Sequence, residues 1–118
     1  VYVDIYRNEL IQVIISLFKN SFDAFDENNI SNRLIQIDID HDNQHGILTI
    51  TDNGGGITQE ALNKIFVPYF TTKNHTEGTG LGMYMSKMII EDHSKGKLEI
   101  SSNNDQTTIT LRLPYTNL

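Results

Sequence analysis

A run of glycines at residues 77–83 (EGTGLGM) constrains this chain most strongly. Three glycines alternate with other residues, and a helical pattern of apolar residues follows at once. That pattern consists of Leu81, Tyr84, Met85, Met88 and Ile89. Glycines that open a helix leave backbone N–H groups free at its positive end, where phosphate binds readily. The alternative is a flexible loop that happens to end at a helix. The rest of the sequence has to distinguish a phosphate-binding loop from such a flexible loop.

Two better-known phosphate loops do not fit this stretch. A P-loop requires G-x-x-x-x-G-K-[ST], and no glycine of the chain is followed by Lys and Ser/Thr at that spacing. The dinucleotide fingerprint requires G-x-G-x-x-G after a strand. From Gly78 its third glycine would fall at Met83, and the preceding residues are polar. If this stretch binds phosphate, it belongs to another class of loop.

Size and composition set further bounds. The chain has 118 residues, no cysteine and a net charge of −6, and its mean hydropathy is −0.32. We expect residues 1–118 to form a single domain and, since the chain begins with Val1 and shows no leader, to be a fragment of a longer protein. The absence of cysteine excludes disulfides and thiolate metal sites, and the absence of a basic cluster argues against nucleic-acid binding.

The first predicted helix carries polar residues along one edge of its apolar face. It runs from Asp4, a plausible N-cap, to about Phe25. Steps of three and four residues align Ser16, Asn20 and Asp23 on that edge. Asn is a mediocre helix former, so Asn20 suggests a role, although an ordinary surface amide is the alternative. The predicted inward face is Leu10, Val13, Ile14, Leu17, Phe18 and Ser21.

Four segments alternate apolar and polar residues and predict paired strands. They are residues 34–40, 47–52, 97–102 and 107–113. Asp52 ends the second strand on the side that carries Leu48 and Ile50, so its carboxylate needs hydrogen-bond donors. Thr107 shares the inward face of the last strand. Residues 52–57 (DNGGGI) contain more glycines than one turn requires, which would let a ligand approach the backbone.

The middle of the chain combines a short helix, an aromatic cluster and a polar loop. Thr58 is a good N-cap for a helix that reaches about Ile65. The aromatic cluster is residues 66–70 (FVPYF), and its Pro68 stops the helix. Residues 71–79 are too polar for core, so we expect a mobile loop. The glycine-opened helix then extends to about residue 92.

These motifs, in this order, resemble the ATP-binding catalytic domain of sensor histidine kinases. That family shares the GHKL, or Bergerat-fold, superfamily with gyrase, heat-shock chaperone and mismatch-repair ATPases. Residues 10–24 (LIQVIISLFKNSFDA) are similar to the N box and residues 52–57 to the first glycine box. Residues 66–70 look like the F box, and residues 78–83 (GTGLGM) like the second glycine box. The match covers nearly the whole chain.

The resemblance implies an α/β (α+β) two-layer sandwich. A mixed, mostly antiparallel sheet of about five strands would lie under three helices, with a mobile ATP lid. It also implies that ATP and Mg²⁺ are the ligands.

The resemblance further assigns roles to individual residues. Asn20 stands where the family has its magnesium-holding Asn, whose amide oxygen suits a hard cation. Asp52 matches the carboxylate that accepts from the adenine amino group. Lys73 in the lid is a candidate for neutralising the γ-phosphate, although a solvated loop lysine is the usual case. The other implied nucleotide contacts are Ser16, Gly54, Gly56, Ile57, Thr79, Gly80, Leu81, Gly82 and Thr107.

The sequence departs from the family pattern at several positions. Ser16 stands where ATP-hydrolysing relatives carry a Glu and histidine kinases usually carry Asn. Because serine is not a base at neutral pH without a partner, Ser16 argues for transfer to an acceptor that supplies its own nucleophile, such as imidazole. The third glycine box reads Lys95-Gly96 instead of Gly-Gly, Gln106 replaces a glycine, and Asp23 replaces a basic residue common in part of the family.

The implied reaction is transfer of the ATP γ-phosphoryl group to a histidine on a separate dimerisation domain, with a response regulator downstream. None of the four histidines is followed by the acidic residue, basic residue and proline of a phosphoacceptor helix. We therefore expect a cytoplasmic, monomeric fragment that binds ATP·Mg but does not phosphorylate itself. Whether the parent protein is anchored in a membrane stays open. The alternatives are a regulatory nucleotide-binding module without transfer activity, or a hydrolysing ATPase of the same superfamily.

Overall fold

The computed structural model describes residues 2–68, 81–103 and 105–116. Its helices lie against one antiparallel sheet. The elements are α1 (Arg7–Glu27), β1 (Ile35–His41), β2 (His45–Asp52), α2 (Gln59–Leu62), α3 (Gly82–Lys87), a π-helix (Met88–His93), β3 (Lys97–Ser102) and β4 (Thr107–Pro114). The strand order is β1–β2–β4–β3. This arrangement confirms the predicted two-layer sandwich.

The sheet differs from the prediction in strand count and direction. In the described part of the chain it has four strands rather than about five, and every pairing is antiparallel, so "mixed" was wrong. Near the N-terminus, Val3 forms one isolated antiparallel bridge with Tyr115. In the central β2–β4 pair, Ile50 lies opposite Ile109 and Asp52 opposite Thr107.

The core lies between α1, α3 and the inner face of the sheet. Val13 and Leu17, four residues apart on α1, are fully buried against the β2–β4 pair and its neighbours. The buried cluster comprises Val13, Leu17, Ile50, Met83, Ile89, Ile90, Leu98, Ile109, Leu111 and Leu113. The alternation predicted for β2, β3 and β4 therefore identifies their inner faces correctly.

Two apolar surfaces stay outside this core. Ile37 and Ile39 share a face with Ile50, but β1 is an edge strand that the described helices do not cover, and Ile39 is 84% exposed. On α1, one flank that includes Ile15 and Phe22 is also exposed. No helix in the described ranges is long and apolar enough to cross a membrane.

The helix ends correct two predictions and confirm one. Helix α1 begins at Arg7 with Tyr6 as its N-cap, so the predicted cap at Asp4 was wrong. Thr58 does cap α2, accepting the Ala61 N–H at 3.1 Å, but that helix ends at Leu62 rather than near residue 65. The predicted boundaries failed because tertiary contacts help to set where a helix begins and ends, which propensity does not encode.

The glycine-opened helix also differs from the prediction. It is α-helical only to Lys87 and continues as a π-helix to His93. Its buried face shares only Ile89 with the predicted stripe. Ser86 is buried on that face, whereas Met85 is 41% exposed. A buried serine within the true stripe made the apolar pattern misleading. This face is Met83, Ser86, Ile89 and Ile90.

Candidate nucleotide-binding site

Asp52 is the buried carboxylate at one end of the candidate site. It is only 7% exposed and ends β2 directly opposite Thr107 of β4. Its Oδ1 accepts the Gly54 N–H at 2.9 Å, and its Oδ2 accepts the Ser21 hydroxyl at 2.7 Å. Among the residues that the structure describes, no ion pair involves Asp52. The carboxylate is held by neutral donors, and its oxygens keep lone pairs for a further N–H donor.

The glycine-rich loop that follows Asp52 is fastened to two other parts of the fold. On one side, the Gly54 carbonyl accepts the Asn28 side-chain amide at 2.6 Å. On the other side, the Gly55 N–H donates to the Asp105 carbonyl at 3.2 Å. The Ile57 N–H donates to the Ser102 hydroxyl at 2.7 Å. The loop therefore bridges the exit of α1 and the turn between β3 and β4.

Two positions in this loop require glycine because of their backbone conformation, and at one of them a side chain would also have no room. Gly55 and Gly56 both have positive φ, at 106° and 75°. A Cβ on Gly56 would also lie 2.1 Å from the Asn103 carbonyl oxygen, which is backbone and cannot move aside easily. The loop thus approaches the β3–β4 turn more closely than any side chain would allow.

A polar edge of α1 forms the other end of the site. Ser16 and Asn20 are both half-buried. Within residues 2–68, 81–103 and 105–116, neither side chain makes a hydrogen bond. Helix α3 begins beside them, because a Cβ on Gly82 would lie 2.9 Å from the Ser16 hydroxyl oxygen. The first N–H groups of a helix lack intrahelical partners, so this end combines an uncommitted amide with a helix start.

This donor set fits a magnesium ion that comes with a nucleotide rather than a metal held by protein alone. No group of three or more His, Cys, Asp or Glu side chains in the described ranges could hold a metal ion. Mg²⁺ commonly uses one or two protein oxygens and completes its shell with phosphates and water. The Asn20 amide oxygen, which has no partner among the described residues, suits that mode.

The structure brings together only part of the predicted site. Asp52, Gly54, Gly56, Ile57 and Thr107 gather at the buried end, and Thr107 is 6% exposed. Its hydroxyl lies 3.5 Å from that of Ser102. Ser16, Asn20, Leu81 and Gly82 lie at the α1–α3 end. Lys73, Thr79 and Gly80 lie outside the described residues, as does the whole predicted loop of residues 71–79.

Three residues were missed as parts of the site. Ser21 was predicted only as an inward-facing residue, although a buried serine on an apolar stripe signals a hydrogen-bond partner. Asn28 and Ser102 carried no such signal. Their contacts join residues 26 and 45 positions apart in the chain, which local patterns do not reveal.

Comparison with known proteins agrees with this geometry. The family model described as histidine kinase-, DNA gyrase B- and HSP90-like ATPase matches residues 6–117. A probable C4-dicarboxylate sensor kinase of Halalkalibacterium halodurans is 34% identical over 108 residues, 91% of this chain and 20% of that protein. Sporulation kinase B of Bacillus subtilis is 36% identical over 107 residues, 90% of this chain and 24% of that protein.

A solved structure shows the same fold. A nucleotide-free form of the catalytic domain of histidine kinase ThkA superposes with a TM-score of 0.81 at 30% identity, covering 98% of this chain and 73% of that chain. This chain spans less than a quarter of the two curated relatives' length. The matched family model, the relatives and the shared fold together show that the chain belongs to the histidine kinase-, DNA gyrase B- and HSP90-like ATPase family, as an ATP-binding domain of the histidine kinase type.

Proposed function

We propose that this domain binds ATP together with Mg²⁺ and transfers the γ-phosphoryl group to a histidine on a separate dimerisation domain of the same protein. One observation carries the proposal. Asp52 is a buried carboxylate whose hydrogen bonds come from neutral groups, the Ser21 hydroxyl and the Gly54 N–H. A buried acceptor without a cationic partner suits recognition of a neutral N–H donor such as the adenine amino group.

We assign the buried end of the site to the adenine base. Asp52 accepts from the amino group, and Thr107 beside it supports that contact from β4. Gly54, Gly56 and Ile57 supply a wall of backbone where a base can lie close to the chain. The in-chain hydrogen bonds of this wall support the assignment, because they hold it in place before a ligand arrives.

We assign the α1–α3 end to the triphosphate. Asn20 contributes its amide oxygen to Mg²⁺, which neutralises phosphate charge during transfer when it is bound. From the family resemblance we assign phosphate contacts to the backbone of Thr79, Gly80, Leu81 and Gly82, and a neutralising positive charge to Lys73. The contact between Gly82 and Ser16 supports this assignment, because it brings the helix start beside the α1 edge.

Ser16, one helical turn before Asn20 in the N box, favours transfer to histidine over hydrolysis. Among the described residues, Ser16 has no hydrogen-bond partner that could act as a base for it. A histidine acceptor needs no such base, since neutral imidazole carries its own lone pair. By itself the domain is a cytoplasmic monomer. The phosphoryl acceptor is the dimerisation domain of the same protein, and a response regulator acts downstream.

A phosphotransfer assay tests the proposal. The domain is mixed with radiolabelled ATP, Mg²⁺ and the dimerisation domain of its own parent protein, and acid-labile label on histidine is followed. We expect label only when both domains are present, and no autophosphorylation by the domain alone. Nucleotide binding without transfer would instead identify a regulatory module. Release of phosphate without the acceptor domain would identify a hydrolysing ATPase.

A further inference from the structure

Ser21 is the buried partner of Asp52. It follows Asn20 on α1, is 2% exposed, and donates its hydroxyl proton to Oδ2 at 2.7 Å across 31 residues of sequence. The other carboxylate oxygen takes the Gly54 N–H. A serine hydroxyl has a single proton to donate, so this contact commits Ser21 to Asp52.

We propose that Ser21 is a positioning residue through which Asp52 selects purines that carry a 6-amino group. This inference rests on the proposed nucleotide-binding function and adds a specificity determinant to it. The side-chain torsion of an Asp carboxylate is broad and roughly two-fold, so one bond alone leaves its plane poorly fixed. Two donors on two different oxygens, one from α1 and one from the loop, fix that plane.

The same pair of bonds favours one class of ligand group. With both oxygens engaged by donors, the carboxylate remains an acceptor and has no proton to offer. A ligand must therefore bring an N–H to this point. A purine with hydrogen at position 6 lacks that donor, and a purine with a carbonyl there places one acceptor against another. Ser21 thus contributes to discrimination without touching the base.

A purely structural role for Ser21 makes a different prediction. Loss of the hydroxyl would then loosen the α1–β2 packing and weaken every nucleotide by the same factor. The ratio between two nucleotides that differ only at position 6 separates the two roles. Suitable probes are ATP and purine riboside triphosphate, in which hydrogen replaces the amino group.

The experiment measures dissociation constants of both nucleotides, with Mg²⁺, for the native domain, Ser21→Ala and Ser86→Ala. Ser86 is a matched control, because it is equally buried at 2% but lies on α3. We expect the native domain to prefer ATP by about 10- to 100-fold, the range for a hydrogen bond to a charged group. Ser21→Ala should reduce that preference by about 3- to 10-fold, mainly by weakening ATP. Ser86→Ala should leave the preference unchanged.

A second variant protects the test against a folding defect. Ser21→Cys keeps nearly the same shape but donates weakly, so it should reduce the ATP preference without leaving a cavity. Equal weakening of both nucleotides by either Ser21 variant would overturn the inference while leaving the proposed function intact. A native domain that binds neither nucleotide would overturn the proposed function itself.

Discussion

The two ends of the candidate site are built differently. At the base end, Asp52, Gly54 and Ile57 each hold hydrogen bonds to distant parts of the same chain. At the phosphate end, Ser16 and Asn20 hold none with the residues that the structure describes. The base end is therefore preorganised, whereas the phosphate end keeps its side chains available for a ligand. The difference matches the chemistry that we propose for each end.

A physical reason underlies this contrast. A buried acceptor must keep its hydrogen bonds in the absence of ligand, since an unsatisfied buried polar group costs free energy. Fixing it in advance also lowers the entropy lost on binding. The half-buried amide of Asn20 can hydrogen-bond to water in the absence of ligand, so it needs no partner from the protein. Phosphates and Mg²⁺ bring their own charge and water when they bind.

A matched pair of glycine substitutions, one at each end of the site, should show the largest difference in stability between the two ends. Gly56→Ala places a Cβ 2.1 Å from a backbone carbonyl at positive φ, and we expect it to lower the free energy of unfolding by about 3 kcal/mol. Among the described residues, Gly82→Ala meets only the movable hydroxyl of Ser16 at a helix start, and we expect a change within about 1 kcal/mol. Urea denaturation measures both. Similar losses for the two variants would show that the ends are equally tight.

Removing one fastening of the base end should give the next largest effect. In Ser102→Ala the Ile57 N–H loses its acceptor, and we expect a loss of about 1–2 kcal/mol in the free energy of unfolding. Ser101→Ala is the control, because Ser101 is the exposed neighbour on β3. If the two variants melted at the same temperature, the loop would not depend on Ser102.

At the phosphate end, the expected effect is on binding rather than on stability. Asn20→Ala removes a side chain without a partner among the described residues, and alanine is the better helix former. We therefore expect the free energy of unfolding to stay within about 0.5 kcal/mol of the native value, or to rise. The Mg²⁺-dependent part of ATP affinity should fall at least about tenfold. A large loss of stability would place Asn20 among the structural residues instead.

The smallest effect should come from a position outside both ends. Lys95 has φ of 60°, where a residue with a side chain is strained, and it occupies the altered third glycine box. Lys95→Gly should raise the free energy of unfolding by about 0.5–1 kcal/mol, after allowing for the entropy of glycine. Nucleotide affinity should not change. A change in affinity would mean that this turn is coupled to the site.

Local sequence patterns predicted the base end better than its supports. Alternation along β2 placed Asp52 on the same face as Ile50, and both are buried. Residues 34–40 alternate in the same way, but alternation did not reveal that β1 is an exposed edge strand, because it does not show whether another element covers the strand. Asn28 and Ser102 were missed because their bonds are long-range in sequence.

The phosphate end was predicted mainly through the resemblance to histidine kinases. The α1 periodicity aligned Ser16 with Asn20 correctly, but nothing in the α1 sequence itself showed that α3 would begin beside them. The buried face of α3 was predicted wrongly, since Met83 and Ser86 are buried there and Ser86 interrupts the apolar pattern. The roles of Lys73, Thr79 and Gly80 stay predictions.

Calorimetric titration of ATP, with and without Mg²⁺, into the native domain and Asp52→Ala tests the central claim most directly. If the base end is a preformed adenine site and the phosphate end binds the metal-bound triphosphate, native binding depends on Mg²⁺ and Asp52→Ala abolishes it. ATP binding by the native domain that is insensitive both to Mg²⁺ and to Asp52→Ala would contradict the account at both ends.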